Sequence, residues 1–444
     1  MREHRNEQLN YAPDQAELSN DLMGFSGAGV AIDGGYSVSE GFAEMRIPLI
    51  QQRTAFEDLV LHGAYRHSDY STAAGSVNTY AIDLSWAPTP DFRLRGSFQR
   101  AIRAPNIIEL FTPQSVTNTS VVSSDPCAGA APTASLAECE HTGVTPAQYG
   151  HILQCPAGQC ATLTGGNQDL SPELANTVSY GVTFSPTFFA GFSASVDYYH
   201  IIVKDEIGIV PLTTTLNECL TTGNPTFCNN ITRTSIGTLF GTTVANGGWI
   251  SGTNVNVAVA TVSGVDVQLA YKLSLPPSWG SISATLNGAY LNHAESQPTP
   301  ASERYDCAGL YGPTCQTLNP KWRHNLRVNW DTPINVLFSA QWRYIGDVSL
   351  DHNTGNPELL DRSPPYGPGV YDQFNARLPS ISYIDLSAIW RVNKVLQLRA
   401  GCNNLLDKDP PLVSARLAAT GSPNTYPTYD LLGRQIYAAF TATF

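Results

Sequence analysis

The sequence predicts an all-β protein, and more narrowly a transmembrane antiparallel β-barrel, from its composition, its alternating strands and its unequal connections. Charged residues make up only 14% of the 444 residues, whereas soluble domains carry about a quarter. The 36 glycines and 30 prolines indicate many turns. The net charge of −12 argues against a nucleic-acid-binding protein, because such a protein would carry a basic excess. No stretch of the sequence approaches the roughly 18 apolar residues of a membrane-spanning helix.

Apolar and polar residues alternate in about thirteen segments, which is typical of strands with one apolar and one polar face. In one of them, Phe338, Ala340 and Trp342 alternate with Ser339 and Gln341. Many segments have 10 to 14 residues, and roughly 9–11 residues suffice to cross a bilayer at a tilt. The predicted strands lie near 37–48, 57–70, 76–87, 92–103, 173–185, 191–204, 256–273, 280–293, 321–331, 335–347, 381–392, 395–404 and 430–444.

The connections between these segments are of two kinds. Short turns are expected near 88–91, 186–190, 332–334 and 393–394, and long loops near 105–171, 205–255, 294–320, 349–380 and 405–429. Membrane barrels combine short periplasmic turns with long external loops in this way. Because backbone groups in lipid must pair internally, the sheet must close, with its apolar face toward lipid and its polar face lining a lumen. We therefore expect an irregular segment at 1–36 and a barrel over 37–444.

Eight of the nine cysteines lie in the long loops, where they are candidates for disulfides. Their spacing does not fit a zinc site, and disulfides would place the loops in an oxidising compartment. The pairing within the first four cysteines is left open. Cys402, at an apolar position of a strand, is interpreted as a buried free thiol. The eight candidates are Cys127, Cys139, Cys155, Cys160, Cys219, Cys228, Cys307 and Cys315.

Four stretches carry a resemblance to a known family. They are "LRGSF", "RAPN" and "ELF" within 94–111, "GNQDLSPE" at 166–173, "NNLLDK" at 403–408 and "YDLLGR" at 429–434. In this order they resemble the C-terminal part of a TonB-dependent outer-membrane receptor. The alternating last strand, with Phe440 and the terminal Phe444, resembles the signal read by the barrel-assembly machinery. The resemblance covers nearly the whole chain from about residue 37.

The resemblance implies a receptor of the Gram-negative outer membrane that takes up a scarce nutrient, such as a ferric siderophore or another large ligand. Members have 22 strands, a plug and a box that contacts the TonB energy-transducing complex. About thirteen strands are expected here, without plug, box or signal peptide, so the chain is expected to be a C-terminal portion of a receptor. Its expected partners are TonB (through a plug and box outside this chain), outer-membrane lipid, the assembly machinery and an extracellular ligand. A passive porin-like barrel and a secreted β-rich binding protein remain alternatives.

The candidate ligand-binding residues are inward-facing arginines and loop tyrosines. Arginines in the lumen would attract an anionic ligand, although they could instead pair with Asp197, Asp266 and Asp385. The arginines are Arg93, Arg95, Arg323, Arg327, Arg343 and Arg399, and the tyrosines are Tyr305 and Tyr311, with Tyr366 and Tyr371 as further loop candidates.

The sequence predicts neither an enzyme nor a cofactor or metal site. It contains no GxSxG, HExxH, P-loop or GxGxxG pattern. Its nine histidines show no ligand spacing and are interpreted as surface or interface side chains; they include His62, His67, His200, His293 and His324.

Overall fold

The structure, a computed structural model, describes residues 1–19, 30–119, 121–300, 302–359, 371–414, 417 and 424–443. It consists of one large antiparallel sheet with folded loops at one end of its strands. The strands of the first half are β1 (Arg2–Tyr11), β2 (Ile32–Arg53), β3 (Phe56–Tyr70), β4 (Ser76–Thr89), β5 (Phe92–Arg103), β6 (Ser115–Thr119), β7 (Cys160–Thr164), β8 (Glu173–Phe184), β9 (Phe192–Gly208), β10 (Ile231–Thr232) and β11 (Trp249–Ser251).

The second half continues the same sheet. Its strands are β12 (Val255–Ser274), β13 (Ser281–Gln297), β14 (Tyr305–Asp306), β15 (Leu310–Tyr311), β16 (Trp322–Asp331), β17 (Val336–Ile345), β18 (Val348–Leu350), β19 (Arg377–Leu378), β20 (Ile381–Arg391), β21 (Leu396–Asn403) and β22 (Gln435–Ala442). Short helices lie between strands, namely α1 (Gln15–Ser19), α2 (Ile107–Phe111), α3 (Leu136–His141), α4 (Leu212–Thr222), α5 (Pro225–Cys228) and 3₁₀ turns at Pro156–Gly158, Asp351–Thr354 and Pro357–Leu359.

The strands of the large sheet follow one another in chain order. Neighbours run β1-β2-β3-β4-β5-β8-β9-β12-β13-β16-β17-β20-β21-β22, and all of these pairs are antiparallel. Each of the thirteen predicted strands corresponds to one strand of this path, so the predicted fold class is confirmed. Among the described residues, β22 pairs only with β21, and the sheet does not close.

One strand was not expected. Residues 1–36 were predicted to be irregular, but Arg2–Tyr11 forms β1 and pairs with 32–41 of β2. Its ten residues are mostly polar on both faces and almost all exposed. A strand without an apolar face gives no alternation of apolar and polar residues. Strand β2 has 22 residues, more than a bilayer crossing requires, and β1 pairs with its first ten residues.

The two faces of the large sheet differ as predicted. Val328, Phe338 and Trp390 project from the same face, and each of these apolar side chains is 38–48% exposed. A continuous exposed apolar surface of this kind is unusual for a soluble protein and suits contact with lipid. Among the described residues, none of the helices has the length and the apolar character that crossing a membrane would need.

The first two long loops fold together into a unit that we call the disulfide-bonded loop unit, residues 115–164 and 211–252. It contains the four-stranded sheet β10-β11-β7-β6, in which β7 and β11 are parallel. Leu239 and Ile250 are fully buried in its core. Disulfides join Cys127 to Cys139, Cys155 to Cys160 and Cys219 to Cys228 around this core. These loops are thus a small folded body of their own.

Local sequence explains where the helices of these loops begin and end. At α3, Ser135 accepts from the backbone of Glu138, and the Glu138 side chain accepts from the backbone of Ser135, which forms a capping box. Helix α4 ends at Gly223, whose φ of +63° is left-handed. The same capping arrangement at Asn106 and Glu109 starts α2 inside the family-like motif of 94–111.

A second cluster of loops covers the strands at the C-terminal side. The three strands β15-β18-β19 form a small sheet, against which Tyr383 and the loop residues Tyr426 and Tyr429 pack. The fourth disulfide joins Cys307 to Cys315 beside this cluster. The free cysteine, Cys402, lies on β21 opposite Leu386 and Ile436, on the apolar outer face, and is partly exposed where a buried thiol was expected.

Candidate ligand-binding site

Strand register places the predicted arginines on the polar face of the sheet. One row of register partners runs Asp385, Gln341, Arg327 and Thr285 across β20, β17, β16 and β13. Register partners point to the same side of a sheet. This row therefore lies on the side opposite the apolar face, which is the lumen side in a barrel.

Three of the six arginines form ion pairs with carboxylates of the same wall. The Arg95 Nε donates to Asp197 Oδ1 at 2.6 Å, and the Arg93 Nη1 lies 3.2 Å from Asp58 Oδ2. Each of these charge-assisted pairs reaches across one intervening strand, β8 for Arg95 and β4 for Arg93. Two of the predicted carboxylates, Asp197 and Asp385, serve as such partners, whereas no ion pair is found for Asp266 within the described ranges.

Arg343 forms the most extensive of these pairs. Its Nε donates to Asp385 at 2.7 Å, its Nη1 donates to Asp430 at 2.9 Å, and its guanidinium lies 4.9 Å from the centre of the Tyr383 ring. Asp430 lies between β21 and β22, so this arginine joins the wall to the last loop. We infer that Arg343, like Arg93 and Arg95, mainly positions the strands and loops around it.

The other three arginines have no carboxylate partner among the described residues. Arg327 donates to Gln341, and Arg399 lies 5.0 Å from the centre of the Tyr437 ring. For Arg323, the described part of the chain supplies neither an ion pair nor a hydrogen bond to the guanidinium. Of the six arginines, Arg323 is therefore the one with most capacity left for an external anion.

Arg323 lines a cavity of about 490 Å³ on the lumen side of the wall. The cavity brings together groups from β12, β13, β16 and β17, whose amides can donate and accept hydrogen bonds. One carboxylate, that of Asp266, also borders it. Its polar lining includes Asp266, Gln268, Asn287, Arg323, Asn325 and Arg343.

The two loop tyrosines of the prediction are buried to different degrees. Tyr311 is fully buried and donates a hydrogen bond to the Asn375 carbonyl, so its assignment as a ligand-binding residue is corrected. Burial raises the pKa of Tyr311, and that of its neighbour Tyr426 to about 12. Tyr305 is partly buried, which also raises its pKa. Tyr371 is 60% exposed, and Tyr366 lies outside the described residues.

The lumen wall contains further polar residues beside the arginines. Gln341 and Asn325 lie on the same face as the arginines, as the alternation in their strands predicts. Asp430 and Tyr383 could not be found in this way, because their contacts with Arg343 join segments that are 87 and 40 residues away.

The chain is similar to a known protein family over most of its length. A family model described as TonB dependent receptor-like, beta-barrel, matches residues 4–405. The chain belongs to this family. The family resemblance drawn from the four sequence stretches is therefore confirmed. No curated protein matches the chain significantly.

Solved structures of TonB-dependent receptors share the fold. The ferric enterobactin receptor PfeA of Pseudomonas aeruginosa, in complex with BCV-L6, is 18% identical with a TM-score of 0.62, covering 100% of this chain and 51% of that one. A mutant of the same receptor with enterobactin is 18% identical with a TM-score of 0.59, covering 93% and 46%. The siderophore receptor PirA of Acinetobacter baumannii is 14% identical with a TM-score of 0.50, covering 100% and 54%.

The chain thus spans about half the length of the receptors whose fold it shares. Proteins of the TonB-dependent receptor family are outer-membrane β-barrels, and the family is one of receptors and transporters rather than of enzymes. The apolar outer face and polar inner face of this chain's sheet agree with such a barrel wall.

Proposed function

We propose that this chain forms the C-terminal wall and the external loops of a receptor that imports a scarce nutrient across the outer membrane of a Gram-negative bacterium. The observation that carries the proposal is the polar wall of the sheet, with Arg323 unpaired among the described residues, in a chain of the TonB-dependent receptor family. Energy would come from the TonB complex, acting through a plug and a TonB-contacting box supplied outside these 444 residues. The wall would contact outer-membrane lipid, and the last strand would be recognised by the barrel-assembly machinery.

The ligand class that fits best is a large anionic compound such as a ferric siderophore. Arg323 offers a charge without a carboxylate partner in the described wall, and the surrounding amides offer hydrogen bonds. Hydrogen bonds to charged groups contribute about 1.5–3 kcal/mol each. Arg327 and Arg399 would extend this surface, while Arg93, Arg95 and Arg343 would hold its shape. Solved receptors of similar fold include a ferric enterobactin receptor, which supports this class of ligand.

The decisive experiment measures uptake in cells that lack their own siderophore receptors. Cells producing the receptor that contains this chain are given radiolabelled iron bound to catecholate, hydroxamate or citrate chelators. We expect uptake of one class, and we expect it to stop when the tonB gene is deleted. Uptake that continues without TonB would indicate the passive porin-like alternative. Recovery of the protein from the soluble fraction would indicate a secreted binding protein.

The role of Arg323 is tested in the same cells. We expect Arg323→Ala to weaken binding of the imported chelate about 10-fold or more, because a charged hydrogen bond is lost. Arg391→Ala is the matched control, since Arg391 lies at the other end of the strands in a half-exposed pair with Asp331. Equal binding by both variants would show that the ligand does not use Arg323.

A further inference from the structure

A second group of chemically active side chains lies away from the lumen, at the loop end of the wall. Strand β13 carries His293 and Glu295 two residues apart, so both project from the same face. The short strand β14 places Asp306 directly opposite Glu295. One ligand atom from each of these three side chains lies within 4.8 Å of the others.

The distances within this group are close to those of a metal site. Ligand atoms about 2.1 Å from a tetrahedral ion are about 3.4 Å apart. The His293 Nδ1 lies 2.7 Å from Asp306 Oδ2 and 3.9 Å from Glu295 Oε1, values on either side of that spacing. All three side chains are 32–49% exposed, so small rotations would be enough to surround an ion.

Asp306 is already oriented as a ligand. Its Oδ1 accepts hydrogen bonds of 2.9 Å from the backbone N–H groups of Ala294 and Ala308, which leaves Oδ2 directed toward His293. Although burial opposes ionisation, these backbone hydrogen bonds and the one to His293 lower the pKa of Asp306. Hydrogen bonds that fix a ligating carboxylate are typical of protein metal sites.

The backbone around Asp306 is also held in place. The next residue, Cys307, forms a disulfide with Cys315 and donates its backbone N–H to the Ala294 carbonyl at 2.9 Å. The loop therefore cannot easily move Asp306 away from β13. A preorganised site loses less conformational entropy when it binds its ligand.

We propose that His293, Glu295 and Asp306 bind a divalent transition-metal ion of the Zn²⁺ class, with a fourth position open to water or to an external ligand. Imidazole together with carboxylates suits zinc, whereas calcium and magnesium prefer oxygen ligands alone. His293 pairs with both carboxylates, which places all three side chains within reach of one ion. The two carboxylates balance the two charges of the ion.

The site lies on the outer side of the wall. His293 is the register partner of Ser263, Ser263 is that of His200, and His200 is that of Val178. Register partners point to the same side of a sheet, and Val178 faces outward. An ion there would link the end of β13 to the following loop without touching the lumen. The inference is therefore independent of the proposed transport function, and the sequence alone did not reveal it because Asp306 follows His293 by 13 residues.

The test is Zn²⁺ binding to the receptor that contains this chain, extracted from the outer membrane in detergent and measured by equilibrium dialysis. We expect one ion bound by these three residues in each receptor molecule. The variants His293→Gln, Glu295→Gln and Asp306→Asn should each weaken binding at least about 10-fold. Co²⁺ bound in place of Zn²⁺ should give visible absorption bands that these variants lose.

The matched control is His62→Gln, because His62 has one carboxylate partner in the described part of the chain, Asp83, at 3.0 Å. We expect this variant to bind Zn²⁺ as the parent chain does. Alkylation and mass spectrometry of the Cys307–Cys315 disulfide would show that the loop remains folded in each variant. The proposal is overturned if the parent chain binds no Zn²⁺, or binds it no more tightly than His293→Gln with that disulfide intact.

Discussion

At the scale of the residue, the position of a side chain along a strand decides which solvent it meets. Val328 and Ser339 lie on adjacent strands at similar depth, but Val328 is on the apolar face and Ser339 on the lumen face. Both assignments could be made from the sequence, because alternation with a period of two is local. The burial of Tyr311 could not, because it depends on contacts with distant residues such as Asn375 and Tyr426.

A charge introduced on each face measures this difference. We expect Val328→Arg to destabilise the folded protein by about 2–4 kcal/mol, because the guanidinium would enter hydrocarbon. Ser339→Arg, its control on the lumen side, should cost far less. Urea titrations of the receptor that contains this chain, folding into lipid vesicles, give both values, and equal costs would show that the two faces have been assigned incorrectly.

Within the loop unit, a buried ion pair joins residues that are 108 positions apart. The Arg233 Nη1 donates to Asp125 Oδ2 at 2.6 Å, and the side chains are 3% and 0% exposed. We expect Arg233→Met to destabilise the unit by about 3–5 kcal/mol, since it leaves a buried carboxylate unpaired. The double variant with Asp125→Leu should recover most of that loss. Limited proteolysis at increasing urea concentrations measures the stability of the disulfide-bonded loop unit in each variant. Equal stability of the single and double variants would contradict a stabilising role for the Arg233–Asp125 pair.

At the scale of the element, strands that cross the membrane were predictable and folded loops were not. The thirteen alternating segments correspond to strands of the sheet because their hydrophobic pattern is contained within each segment. Strand β1 was missed because both of its faces are polar. The disulfide-bonded loop unit was missed because its sheet joins β7 to β11, two strands separated by β8, β9 and almost the whole of the second long loop.

The disulfides belong to the loops and not to the wall. Each closes a short loop, with sequence separations of 5 to 12 residues, and should stabilise it by about 2–3 kcal/mol. We expect reductant to release eight thiols while the strand content measured by circular dichroism stays constant. Thiol titration before and after reduction tests this directly. Finding all nine cysteines reactive in protein taken from the oxidising compartment would contradict it.

At the scale of the whole molecule, the described strands leave two edges of the sheet without partners. Strand β22 is bonded on one side only, and β1 covers β2 only over 32–41, so the remainder of β2 is a second open edge. In hydrocarbon each unpaired backbone group costs several kcal/mol. The open edges of a single copy would therefore cost on the order of tens of kcal/mol. Such a sheet needs further strands to close it.

This cost predicts how the 444-residue chain behaves when it is produced alone. We expect no heat-modifiable monomer in outer-membrane extracts on cold electrophoresis, and we expect one when the N-terminal half of a receptor of this family is joined to it. Protease cleavage near β2 and β22 should decrease at the same time, because the added strands would pair with both edges. If the chain alone gives a heat-modifiable monomer that conducts ions in planar bilayers, β2 and β22 must pair with each other. The polar wall would then line a smaller, complete pore.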